Sequence, residues 1–232
     1  MNSITDIVLN KLREAMSFIF PVLSNKIETL PSNIPDRMIE YPFVLRELYL
    51  EKGRILDVGC TSPYNILPLI LADQGFDVYG MDLREFKIRH PNFTFVKGSI
   101  EKNRFPSSYF DGIIAVSTIE HIGLKGRYTA EQDTTGDRKA ILEMIRIMKE
   151  DGIILLTVPF GKAKISGSSH RIYDSVKLRQ LILGLNIVKK EFYFKNKSGF
   201  WGSCEESTAE LIEESSTQEY ALACLVLSKT AG

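Results

Sequence analysis

Between Arg54 and Phe160 the chain alternates short, almost wholly apolar runs with stretches of helical spacing. RILDVG, DVYGMD, FTFVKG, FDGIIAVS and GIILLTVP read as five strands. Residues 64–74 and 136–149 carry apolar side chains at three- and four-residue spacing and are expected to be helices, whereas Asp82 to Phe93 leaves room for only a brief helical turn. Runs apolar on both faces and separated by helices predict an α/β fold with a parallel sheet covered on both sides, which binds ligands at its carboxyl edge. A helix from about Ser175 to Leu183, a strand from Ile187 to Phe194 and a last strand from Tyr220 to Ser228 follow, the final pair expected to run antiparallel.

Ahead of this core, Ile4, Ile7, Val8, Leu12, Ala15 and Ile19 form one stripe, the pattern of an amphipathic helix. Pro21, Pro31, Pro35 and Pro42 then punctuate the chain up to a second periodic stretch holding Phe43, Val44, Leu45, Leu48, Tyr49 and Leu50. The expected organisation is an N-terminal helical cap over residues 1–52 and one domain over 53–232.

Composition narrows the classes. The 232 residues are 44% hydrophobic and 25% charged, and 29 Lys+Arg balance 29 Asp+Glu, so no global field favours nucleic acid or an anionic membrane. The longest apolar run, Tyr220 to Leu227, falls well short of the roughly 18 residues that span a bilayer. Cys60, Cys204 and Cys224 form no C-x-x-C pair, and no secretory leader is read, so a cytoplasmic location is expected. One local asymmetry stands out: residues 160–200 hold nine Lys/Arg against two acids, and 205–219 hold six glutamates. These read as solvated faces that offset each other, or as a basic patch for RNA.

The first strand ends in Asp57-Val58-Gly59-Cys60-Thr61-Ser62-Pro63, a turn whose glycine lets backbone amides approach a ligand and whose Ser62 and Pro63 suit a helix start. Pro68 fits that helix only if it begins late or kinks. Asp82 ends the second strand, where a carboxylate can accept both hydroxyls of a ribose. The dinucleotide fingerprint G-x-G-x-x-G is missing, since Thr61 stands two residues after Gly59.

Taken together, ILDVGC, VYGMD, FVKGSI, FDGIIAVSTIEHIG and MKEDGIILLTVPF resemble the class I S-adenosylmethionine-dependent methyltransferases over about residues 53–160. The resemblance implies a Rossmann-like seven-stranded sheet of order 3-2-1-4-5-7-6, with its last strand antiparallel, and S-adenosyl-L-methionine as cofactor. It assigns Asp57, Gly59, Cys60 and Thr61 to the loop around the methionine part, Asp82 and Leu83 to the ribose, Ser99 and Ile100 to the adenine, and Ser117 to the neighbourhood of the methyl group. The sequence departs from the family at Thr61, usually glycine, and at Ser99, commonly aspartate.

Ser117-Thr118-Ile119-Glu120-His121 is followed 49 residues after His121 by His170. The set resembles the E-x-x-E-H plus distal His site of small-RNA 2′-O-methyltransferases and some quinone-precursor O-methyltransferases, with Ser117 where the first Glu would be. Glu120, His121 and His170 therefore stand as ligands for a divalent metal ion, as a general-base group, or as a structural pair, all three readings remaining open. The stretches IPDRMIEYPFVLREL, AVSTIEHIGL and SSHRIYD further resemble compact methyltransferases associated with glycan and polysaccharide biosynthesis, implying O-methylation of a sugar hydroxyl on a small-molecule or glycan acceptor. The rivals are an RNA 2′-O-methyltransferase and a catalytically silent methyltransferase fold serving as a binding subunit. The polar stretch Gly126 to Asp137 reads as a lid or an acceptor loop, with Asp133 and Asp137 as acceptor contacts or Asp137 as the cap of the helix beginning there, and Trp201 as a stacking or packing aromatic.

Overall fold

The structure, a computed structural model, describes residues 35–61, 66–125, 132–167, 170–213 and 220–230. The amphipathic stretch over residues 4–20 lies outside these, as do Ser62, Pro63 and residues 126–131 of the acceptor loop. Helix α1 (Arg37–Glu47) precedes β1 (Arg54–Val58), α2 (Leu67–Asp73), β2 (Asp77–Asp82), β3 (Phe93–Lys97) and β4 (Phe110–Val116). Helix α3 (Gly136–Ile147) runs directly into the long strand β5 (Met148–Phe160). Then come β6 (Lys164–Ser166), β7 (His170–Ile172), α4 (Ser175–Leu181), β8 (Leu185–Lys195), β9 (Trp201–Cys204), α5 (Glu206–Glu210) and β10 (Tyr220–Lys229).

The expected seven-stranded order is corrected: the main sheet has eight strands in the order β3-β2-β1-β4-β5-β10-β8-β9. The physical reason for the eighth is that the chain turns back after β8 and adds β9 as an antiparallel edge strand. Strands β1 to β5 pair in parallel, and β10 is antiparallel to both β5 and β8. A separate two-stranded sheet joins β6 and β7. No helical element separates β2 from β3, so the brief turn expected there is absent.

The apolar runs are continuous because both sheet faces are covered. Leu56, Ile113, Ala115, Ile154 and Leu156 point into one core with Ala140, Ile141, Met144 and Ile147 of α3. Ile55, Ile114, Val116 and Leu155 point the other way, against Phe43 and Val44 of α1 and Leu67, Leu71 and Ala72 of α2. Each fully buried aliphatic side chain of this kind contributes about 1.5–3 kcal/mol. Helix α2 does begin late, with Ile66 rather than Ser62 as N-cap, which puts Pro68 in the first turn where its missing N–H costs nothing. Strand order reverses between β1 and β4, which opens a crevice beyond their carboxyl ends.

Candidate active site

Gly59 follows β1 at φ +84°, and its N–H donates to the Met81 carbonyl at 2.8 Å. A Cβ at this position would sit 2.2 Å from Thr118 Oγ1, so only glycine lets the loop after β1 pass the loop after β4. Asp57, buried, lies just ahead of it. Cys60 is buried against Gly80, whose missing side chain makes room for its Sγ. Burial and the nearby Asp57 and Asp82 carboxylates push the Cys60 thiol up, so it stays a protonated, packed side chain.

Asp82 closes the other side. Its Oδ2 accepts from Thr61 N–H at 3.0 Å, and Oδ1 accepts from the Arg84 N–H at 2.9 Å. Burial alone would raise this carboxyl, but the Thr61 and Arg84 donors outweigh it and hold Asp82 below the usual carboxylate range. The Arg84 guanidinium contacts are long, 3.3 and 3.4 Å, and that side chain is 43% exposed, so ribose hydroxyls can displace it. Leu83 is exposed beside it. Ser99 caps the short helical turn Ile100–Lys102, where its Oγ accepts from Glu101 N–H at 3.3 Å. Ile100 is buried in the core with Leu56 and Met81, which leaves the adenine expected there to meet backbone rather than the Ile100 side chain.

Ser117 ends β4 in the left-handed region, φ +41°, unusual for a residue with a side chain. Its N–H donates to the Thr157 carbonyl and hydroxyl at 3.1 and 3.0 Å. Its Oγ donates to Glu40, a fully buried acid on α1 that also accepts from Thr157 Oγ1 at 2.6 Å and from Arg37. Glu40, Arg37 and Thr157 were not among the residues expected at the site. The signal was present: Glu40 lies three residues ahead of Phe43 and four ahead of Val44, on the buried stripe of α1.

Glu120 and His121 occupy a helical turn, Ile119–His121, directly after β4. His121 Nε2 stands 3.7 Å from Glu120 Oε1, and the His121 and His170 rings meet edge to face at 6.0 Å. The two histidines thus face each other. Support for the metal reading is lacking: among the described residues no group of three His, Cys, Asp or Glu is placed to hold an ion. Zinc-type donors must lie about 2.0–2.2 Å from one point. Glu120 instead is 2% exposed, with Glu40, Arg37 and Asp36 as its charged surroundings. Burial pushes its pKa up to about 8, and its Oε2 finds no hydrogen-bond partner among the described residues. Arg171 braces this turn from β7, donating to the Glu120 and Ile122 carbonyls at 3.2 and 2.7 Å.

Asp137, a candidate acceptor contact, has its partners inside the protein. It accepts from Tyr173 OH at 2.9 Å and pairs with Arg171 Nε at 3.2 Å. Asp133 accepts from Thr135 N–H and Oγ1 and pairs with Lys139, serving the start of α3. Trp201 packs against Tyr220 and beneath Lys195.

The crevice has the parts an adenosyl cofactor needs. Gly59 makes a cradle that any Cβ would fill, the Thr61 N–H donates to Asp82, and Asp82 ends the second strand. A family model described as "Caenorhabditis protein of unknown function, DUF268" matches residues 79–230, from β2 to the end of β10. The chain belongs to this family. The DUF268 match takes in the Asp82 edge, the Glu120-His121 turn and both histidines, while Gly59 lies ahead of it.

No curated protein matches the chain. Among solved structures, it is similar to the (4+2)-cyclase SpnF, with TM-score 0.61 and 16% identity over 84% of this chain and 82% of that one. It is also similar to a putative S-adenosylmethionine-dependent methyltransferase from Listeria monocytogenes, with TM-score 0.55 and 11% identity over 84% and 100%. A third is the 1,6-didemethyltoxoflavin-N1-methyltransferase of Burkholderia thailandensis, whose structure holds S-adenosylhomocysteine, with TM-score 0.50 and 11% identity over 99% and 92%. At these identities the likeness establishes the fold, and a fold shared by a cyclase and methyltransferases leaves the chemistry to the site.

Proposed function

We propose that this DUF268 protein is an S-adenosylmethionine-dependent methyltransferase that methylates a sugar hydroxyl. The observation that carries the reading is the meeting, at one crevice, of the Gly59 cradle, the Asp82 carboxylate and the Ser117–His121 turn. The backbone from Gly59 to Thr61 would hold the amino-acid end of the cofactor, Asp82 its ribose and the Ser99 backbone its adenine. When bound, S-adenosylmethionine supplies a methyl group already activated by its sulfonium. The protein's task is then to bring in the acceptor and take its proton.

His121 is the group we assign to that proton. Its side chain keeps 17% exposure against 2% for Glu120, so an acceptor can reach it. Glu120 lies 3.7 Å from the imidazole, and His170 faces it from β7. Glycan chemistry rests on the resemblance of the α1, Glu120-His121 and His170 stretches to glycan-associated methyltransferases. Methyl-labelled S-adenosylmethionine incubated with a panel of mono- and oligosaccharides tests it. Label should enter a sugar, and His121→Ala should lower the rate by about 100-fold or more. Label entering RNA instead would overturn the acceptor, and cofactor binding without transfer to any acceptor would favour a silent binding subunit.

A further inference from the structure

We propose that Glu40 is a positioning residue of this site, tying Ser117 and helix α1 together across the carboxyl ends of β4 and β5. The inference rests on reading the crevice as a cofactor site. Glu40 is wholly buried, and its Oε1 accepts from both the Ser117 and Thr157 hydroxyls while Oε2 takes Arg37. Ser117 is thereby gripped at two points, its N–H by Thr157 and its hydroxyl by Glu40. A non-glycine residue keeps a left-handed conformation only where its surroundings over-determine it, and Glu40 supplies that surplus.

Packing alone gives no reason for an acid here. Phe43 and Val44 already seat α1 on the sheet, and an apolar residue at position 40 would avoid the cost of taking a carboxyl out of water. What the acid adds is direction: two hydroxyls, one at the end of β4 and one on β5, are aimed at a single oxygen. The charged and titratable groups around it are Asp36, Arg37 and Tyr41 from the α1 side, Glu120 from the turn after β4, and Cys224 from β10. Arg37 is the one cation of that set, and its charge favours the ionised Glu40 that burial disfavours.

Glu40→Ala, Glu40→Gln, Ser117→Ala and the Glu40→Ala/Ser117→Ala pair test the role. The readouts are S-adenosylhomocysteine affinity by calorimetry and the backbone chemical shifts of Ser117 by NMR. Glu40→Ala should weaken binding about tenfold and move the Ser117 shifts out of the left-handed range, and Glu40→Gln, which keeps an oxygen for both hydroxyls, should restore both. The pair should bind no worse than either single variant, because both remove one contact. Additive losses, unmoved Ser117 shifts in Glu40→Ala, or no rescue by Gln would overturn the proposal. If Glu40→Ala does not fold, Ser117→Ala, which removes only a hydroxyl, must show the same loss of affinity or the proposal falls. Wild-type protein that binds no S-adenosylhomocysteine overturns the methyltransferase reading instead, and the Ser117 shifts in the Ala and Gln variants still decide the part played by Glu40.

Discussion

Gly59 has no room for a side chain, because a Cβ there meets Thr118 at 2.2 Å while the backbone sits at φ +84°. Gly59→Ala should cost about 1–3 kcal/mol and abolish S-adenosylhomocysteine binding, read by thermal melting and calorimetry; wild-type affinity in that variant would contradict the cradle. Glu120 gives the clearest dependence on pH. Its carboxyl has an ordinary value of 4.5 and titrates at about 8 in the folded protein because burial disfavours the charge. The folded state keeps a proton that the unfolded chain has released, so the contribution is full below the lower value and lost as pH rises through the upper one. Wild-type stability relative to Glu120→Gln should therefore fall by about 1.4 kcal/mol per pH unit across that window, and a flat difference in denaturant melts would refute it. The placement of Asp57, Gly59, Asp82 and the Glu120-His121 pair at strand ends was legible in sequence, because the apolar runs mark where each strand stops. Glu40 was not, since an acid on a helix ordinarily faces water, and only its place on the buried stripe of α1 marks it.

The elements of the sheet were legible for a similar reason: β1, β4 and β5 are apolar on both faces, a pattern that leaves few alternatives. Strand β9 was missed, because Trp201–Cys204 is short and carries glycine and serine. Its turn did leave a mark. Asn196 Oδ1 accepts from the Ser198 and Phe200 amides, and Gly199 adopts φ +83°, a hairpin turn written as N-K-S-G. Asn196→Ala should cost about 1 kcal/mol and speed hydrogen exchange in Trp201–Cys204 while leaving β10 protected; unchanged exchange at β9 would show that the turn does not hold the edge. The helix expected over 136–149 stops at Ile147, because Met148 pairs with Phe110 as the first residue of β5.

Across the whole molecule, the basic block and the glutamates answer each other. Lys162 pairs with Glu213, Lys189 with Glu47 and Glu191, and Lys190 with Glu206, while Arg171 is buried. These contacts take up four of the block's nine cations, and the formal net charge of the chain is zero, so binding to a single-stranded RNA should be undetectable even at low salt; steeply salt-dependent binding would revive an RNA acceptor. Among the described residues no helix is long and apolar enough to cross a membrane. Of the N-terminal cap expected over residues 1–52, the described part packs on the sheet through Phe43 and Val44 of α1, and residues 1–34 lie outside the described residues.

The central claim is that the crevice between the ends of β1, β2 and β4 holds an adenosyl cofactor. Calorimetric titration of S-adenosylhomocysteine into the full chain, with Asp82→Ala beside it, tests this most directly, since neither arm needs an acceptor. Wild-type binding at about micromolar Kd, with a loss of tenfold or more in Asp82→Ala, is the predicted result. Absence of binding by the wild type, or equal binding by the variant, would contradict it.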